Sequence, residues 1–162
     1  MEGESKMTIE WPTGPTESDM TVEVPDNWPA LPAGPAVILV KSVPFNVIIK
    51  WTVPLEHALI LGGKFQLRAY VESLGPGQEK QLGPDTIVDV VPPQTAYTTT
   101  IAIPGDTLLG EGDLYYEPGA PPPPGVPVSG VYKIVAVLQH LNPGPTWVSG
   151  FAEVSFRMFL SP

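Results

Sequence analysis

The chain has 162 residues, a formal net charge of −9, no cysteine, 22 prolines and 16 glycines. The missing cysteines exclude a disulfide framework and a thiolate metal site. The acidic balance leaves no basic patch for nucleic acid. The length suits one large domain, or one domain with an extension, and is enough to bury roughly 70% of the unfolded surface in a self-sufficient core.

Proline and glycine make up nearly a quarter of the residues, which by itself leans towards disorder, but the hydrophobic fraction is 43% and the prolines fall between apolar runs. They read as punctuation between strands. The first 35 residues hold seven acids against one base, Lys6. Met1 to Glu10 has neither the basic nor the apolar region of a secretory leader, and no apolar run approaches the roughly 20 residues of a spanning helix. The expectation is a chain without leader or membrane insertion, in the cytoplasm or in an assembled particle.

In chain order, residues 1–19 are polar and proline-dotted and read as a mobile tail with one apolar anchor at Ile9 and Trp11. Met20 to Val24 alternates, with Met20, Val22 and Val24 on one side, and predicts a short strand. A polyproline-type linker follows from Trp28 to Pro35. Residues 1–35 are thus an acidic extension and 36–162 the main domain. Ala36–Val40 is continuously apolar, as in a strand covered on both faces. Phe45–Val53 turns Phe45, Val47, Ile49, Trp51 and Val53 inward. Leu55–Leu61 fits a short strand or one helical turn.

Lys64–Ser73 alternates again, with Phe65, Leu67, Ala69 and Val71 inward. Glu79–Leu82 reads as a polar edge strand, followed by a separate strand at Thr86–Val91 and another at Ala96–Ile103. Asp106–Val128 is the longest irregular stretch. Ser129–Leu141 is a long strand that carries apolar groups on both faces, as a central strand does, and Asn142-Pro143-Gly144-Pro145 stops it. Trp147–Leu160 pairs with it as a hairpin; its period puts Ala152, Val154, Phe156, Met158 and Leu160 on one face and Glu153, Ser155 and Arg157 on the other.

About seven to nine strands with turn signals between them and no amphipathic helix predict an all-β, antiparallel sandwich. Trp51 lies inward on an early strand, and Gly130-Val131-Tyr132 opens a late one. In these features the chain resembles immunoglobulin-like and fibronectin-type-III-like β-sandwiches over roughly residues 36 to 160. The resemblance implies structural roles for Trp51 and Tyr132: a core tryptophan, and a tyrosine corner whose hydroxyl bonds back to the backbone just upstream. The paired cysteines of antibody-type domains are absent, and the stretch from Ile103 to Tyr132 is longer than in such domains. Fold alone does not assign function.

The site chemistry is sparse. His57 and His140 stand 83 positions apart, and neither has an acid and a nucleophile placed beside it by the sequence. Asp106, Glu111, Asp113 and Glu117 share one loop, and such a loop can hold Ca²⁺, but their spacing departs from the twelve-residue calcium loop. A solvated acidic loop is the better reading. No cofactor is expected.

Interaction chemistry is better represented. Tyr115 and Tyr116 precede Pro121, Pro122, Pro123 and Pro124. A stiff polyproline run loses little entropy on binding, and tyrosines supply large contact area. Met20, Val22 and Val24, on their proline tether, suit pairing with their own sheet or strand addition to another copy. The favoured expectation is a non-enzymatic structural or protein-interaction module that binds a protein partner or copies of itself, including as a self-assembling subunit of a larger particle or filament. The alternative is a small-ligand or carbohydrate-binding module using Tyr70, Tyr115, Tyr116 or Trp147 as a platform. A hydrolase on a sandwich scaffold comes third.

Overall fold

The computed structural model describes residues 5–10, 17–27, 38–116 and 125–161. In chain order the elements are β1 (Ser5–Glu10), β2 (Glu17–Glu23), β3 (Ile38–Val40), β4 (Phe45–Thr52), α1 (Leu55–Ala58), β5 (Lys64–Ser73), β6 (Glu79–Asp89), β7 (Ala96–Ile103), β8 (Leu114–Tyr115), β9 (Val126–Pro127), β10 (Val131–Leu141) and β11 (Pro145–Leu160). Among the described residues the chain is all-β with one helical turn. One hydrogen-bonded path runs β6-β5-β10-β11-β1-β2-β4-β7, with β3 parallel to the end of β11 and β8-β9 forming a separate ribbon.

Strands with strict alternation form where the period places them. β5 and β7 span the expected residues, and β4 ends one residue early, before Pro54. On β4 the residues Phe45, Val47, Ile49 and Trp51 are buried while Asn46, Lys50 and Thr52 are exposed. Leu55–Leu61 takes the helical alternative, because Pro54 cannot continue the β4 ladder and its fixed φ suits the position before a helix. β10 lies between β5 and β11. Its even-numbered residues from Tyr132 to His140 are buried and its odd-numbered ones half-buried. The strand is central, but one of its two apolar faces is not covered.

Inward side chains of β4 and β7 meet those of β5 and β10 in one core. Trp51 stacks on Tyr97 with centroids 5.5 Å apart, and Phe65 stands edge-on to both. Tyr132 and Phe45 each present an edge to Phe159. The ends of the path, β6 and β7, do not hydrogen-bond to each other, but Gly83 of β6 lies against the side chains of Ile101 and Ile103.

Several expectations are corrected. The stretch 1–19 is not only a tail: β1 lies between β11 and β2, and Ile9 is fully buried beside Gly150. The anchor residue Trp11, the linker 28–35 and residues 36–37 lie outside the described residues. Of the two pairings expected for residues 20–23, the one within their own chain is found, with β1 on one side and β4 on the other. β3 has one buried residue, Leu39, flanked by half-buried Ile38 and Val40, so it is not covered on both faces.

The two strands expected at 79–82 and 86–91 are one strand, β6. Gly83, Pro84 and Asp85 bulge out of its ladder, since Leu67 pairs with Thr86 but Ala69 with Leu82. Asp85 pins the bulge by accepting two hydrogen bonds from Arg68, at 3.0 and 3.1 Å.

The largest correction falls on β11. Tyr132 pairs with Arg157 but Ile134 with Val154, so β11 carries one extra residue there. That bulge reverses the alternation. Ala152 and Val154 point inward as expected, but Phe156 is half exposed, Met158 and Leu160 are only half-buried, and Arg157 and Phe159 enter the core. Arg157 donates to the carbonyl of Phe156, and burial lowers its pKa.

Gly130, at φ +75°, starts β10. A Cβ there would lie 2.5 Å from Glu111 N and 2.8 Å from Phe159 O, so only glycine fits this crossing of three backbone segments.

Candidate interaction surfaces

The loop from Pro54 to Gly63 and the β10–β11 hairpin meet at one end of the molecule. Gly63, at φ +84°, packs directly on the carbonyl of Leu141 and on Asn142. His140 fastens the two together. Its Nε2 lies 2.6 Å from the carbonyl oxygen of Gly62, so Nε2 donates, and Nδ1 lies 2.9 Å from Thr146 Oγ1, from which it can accept. The ring is 2% exposed and packs against Phe65. This is a positioning role, and both ring nitrogens are engaged in it.

Ala58 buries the inner side of α1. Leu55, Leu59 and Ile60 point out, with 62%, 61% and 82% of their surface exposed, and Trp147, two residues past the start of β11, is 86% exposed. Four large apolar groups at one end exceed the scattered single exposures normal for a protein surface.

Further half-buried apolar groups lie on the outer face of β5, β10 and β11. There Val137 stands opposite Arg68 and Phe151, and Val135 opposite Tyr70 and Glu153. Ion pairs rim the stripe: Lys133 to Glu153 at 2.8 Å, and Arg68 to Asp85. The hydrogen bond to Glu153 raises the Lys133 pKa. Phe151 and Phe156 are about half exposed.

Of the residues singled out from sequence, Tyr115 is half-buried in the β8–β9 ribbon opposite Val126, and Tyr116 is 56% exposed with its ring against Gly125. Pro121, Pro122, Pro123 and Pro124 lie outside the described residues. Met20, Val22 and Val24 are core side chains, each at most 1% exposed, so they form no surface in this state.

Trp51 and Tyr132 are buried too. The Tyr132 hydroxyl donates to the carbonyl of Leu109 at 2.8 Å, a backbone partner upstream of β10 but 23 residues away. Burial pushes its pKa up to about 12.

The acidic loop works as a structural hub. Asp113 accepts from Lys41 Nζ at 2.6 Å, from the N–H of Gly110 at 2.8 Å and from the Ser161 hydroxyl at 3.1 Å. These bonds, Lys41 foremost, hold its carboxyl below the usual range. Asp113 thereby ties the loop to the residues after β3 and β11. Glu117 lies outside the described residues.

A groove of about 670 Å³ is bounded by Asp19 and Thr21 of β2, Lys50 and Thr52 of β4, the end of β6 and the start of β7. Val88, Val91, Gln94, Tyr97 and Thr98 are among its lining residues. Tyr97 accepts the backbone N–H of Val91 at 3.1 Å, which holds this wall in place.

Sequence reasoning missed the loop end because Leu55–Leu61 fits a short strand or one helical turn, and so short a stretch does not say which of its apolar residues face outward. Among the described residues no group of three or more His, Asp or Glu is placed to hold a metal ion, and no helix is long and apolar enough to cross a membrane. Comparison with protein-family models, curated proteins and solved structures finds no match to this chain.

Proposed function

We propose that this chain is a non-enzymatic protein-interaction module built as an immunoglobulin-like β-sandwich. The fold reading is supported by the strand order. β6-β5-β10-β11 with β3 alongside, and β2-β4-β7, follow one another as the two sheets of such sandwiches do. It is also supported by a tyrosine near the start of the penultimate strand whose hydroxyl bonds to upstream backbone.

The function reading is carried by one observation, the exposure of Leu55, Leu59 and Ile60 on one segment and of Trp147 on the other, the two segments that His140 fastens together. Exposed apolar side chains on a rigid, clamped loop pair are a contact surface with little ordering entropy to lose. A protein partner with an apolar patch is the matching chemistry.

Site-specific photo-crosslinking tests this. A benzophenone side chain replacing Ile60 or Trp147 in the cell of origin gives a discrete protein adduct, lost when Leu59 is changed to Ser. A diffuse smear or no adduct from both positions removes the reading.

A second reading, small-ligand binding, is favoured by the apolar groove beside Tyr97. A fragment screen by NMR supports it if shifts centre on Gln94 and Thr98, and ends it if none do.

A further inference from the structure

The two ends of the hydrogen-bonded path are built differently. β6 carries Glu79, Lys80, Asp85 and Asp89, and its ladder is broken by a bulge containing Pro84. Charge, proline and bulge are the devices that keep an edge strand from pairing with another chain. β7, Ala-Tyr-Thr-Thr-Thr-Ile-Ala-Ile, has none of them. Its ladder to β4 runs without a shift from Thr52↔Ala96 to Phe45↔Ile103, and no residue from Val90 to Gly105 is charged.

The phase of that ladder follows from the Val53 N–H, which donates to the Thr95 carbonyl at 2.7 Å. By the antiparallel alternation, Tyr97, Thr99 and Ile101 then turn their backbone N–H and C=O towards β4, while Ala96, Thr98, Thr100 and Ala102 turn theirs outward. The Ala96 carbonyl is taken by the Gln94 side chain at 2.6 Å, and Ala102 is shielded by Gly83. Thr98 and Thr100 keep outward backbone groups that no other strand pairs with among the described residues. Both residues are exposed, and the groove adjoins Thr98.

We propose that two copies of the chain pair here, β7 against β7, antiparallel about a two-fold axis through Thr99. Thr98 of one copy exchanges backbone hydrogen bonds with Thr100 of the other, and the pattern repeats by symmetry. An antiparallel edge is complementary to itself about such an axis. The outer side chains, all exposed, are Ala96, Thr98, Thr100 and Ala102, so Thr meets Thr across the seam. Each chain carries −9, and a seam with no charge is where two such chains meet without opposing carboxylates. The proposal names one partner for the interaction module and shares no residue with the loop end, so the two readings fail separately.

Sedimentation velocity on the full chain, from micromolar to millimolar, tests it. The wild type becomes a dimer as concentration rises. Thr98→Pro removes only an outward donor, and Thr100→Lys puts a charge in the seam; both remain monomers with wild-type circular dichroism. If Thr98→Pro fails to fold, Thr100→Lys decides.

The chain has no cysteine, so Thr99→Cys gives a register-specific test. Residues on the axis form a non-hydrogen-bonded pair with Cα atoms roughly 4.5 Å apart, within disulfide reach. Mild oxidation crosslinks Thr99→Cys to a covalent dimer faster than the exposed control Thr52→Cys. A wild type that stays monomeric throughout, a folded Thr100→Lys that still dimerises, or equal crosslinking at 99 and 52 overturns the proposal.

Discussion

Replacing Tyr132 with Phe removes a single oxygen from the middle of the core. The ring stays, with its edge contact to Phe159 at 5.6 Å, so no cavity opens. What is lost is the hydroxyl's hydrogen bond to the Leu109 carbonyl at 2.8 Å, from a residue with no exposed surface. A net hydrogen bond contributes about 0.5–1.5 kcal/mol, and a carbonyl left without its donor adds to that, so the expected loss is about 1–2 kcal/mol. In a chain of this length that lowers the melting midpoint by about 2–8 °C.

Urea unfolding followed by tryptophan fluorescence reads the loss as a lower midpoint at unchanged slope. pH supplies a second arm. Tyr132 titrates at about 12 when folded and near 10 when unfolded. Its contribution is therefore fully present below pH 10 and lost as pH rises through 12, because the unfolded chain ionises first. The phenylalanine variant lacks this group, so the stability gap between wild type and variant narrows across that window, while the other titrations are common to both. An unchanged midpoint at neutral pH, or a gap constant from pH 10 to 12, refutes the assignment of a bonded hydroxyl at this corner.

Asp113→Asn is expected to cost about 1 kcal/mol, since a partly exposed ion pair with Lys41 and two further hydrogen bonds is weakened. Because the Asp113 pKa is depressed on folding, the difference from wild type is full above the unfolded value near 3.8 and disappears as pH falls through the folded one, which acid titration of urea midpoints checks. Gly130→Ala forces both a left-handed φ and a collision with Glu111 N, so a loss above about 2 kcal/mol is expected in the same assay. Trp147→Ser and Ile60→Asn, by contrast, fall within about 0.5 kcal/mol of wild type, because neither side chain is packed. A larger loss from either shows that the loop end contributes to the fold and is not a free contact surface.

Local pattern determined much of this molecule. Alternation with proline and glycine stops placed β5, β7 and most of β4 to the residue, because the side-chain period of a strand is a property of the strand alone. The central place of β10 and the polar edge at the start of β6 were legible for the same reason.

What only the tertiary structure decided are matters of partner. A bulge exists only against the ladder it interrupts, so the reversal that brings Arg157 and Phe159 inward, and the fusion of residues 79–89 into one strand, leave no trace in the period. The polar segment β1 did not announce itself as a strand, and the partners of β2 and β3, which did, are set by β1, β4 and β11 rather than by their own residues. The gathering of Leu55, Leu59, Ile60 and Trp147 at one end needs the His140 clamp across 78 residues. That β7 ends the hydrogen-bonded path among the described residues is likewise a fact about its neighbours and not about its own sequence. A strand's faces are written in its own residues, but its neighbours are chosen by the whole chain.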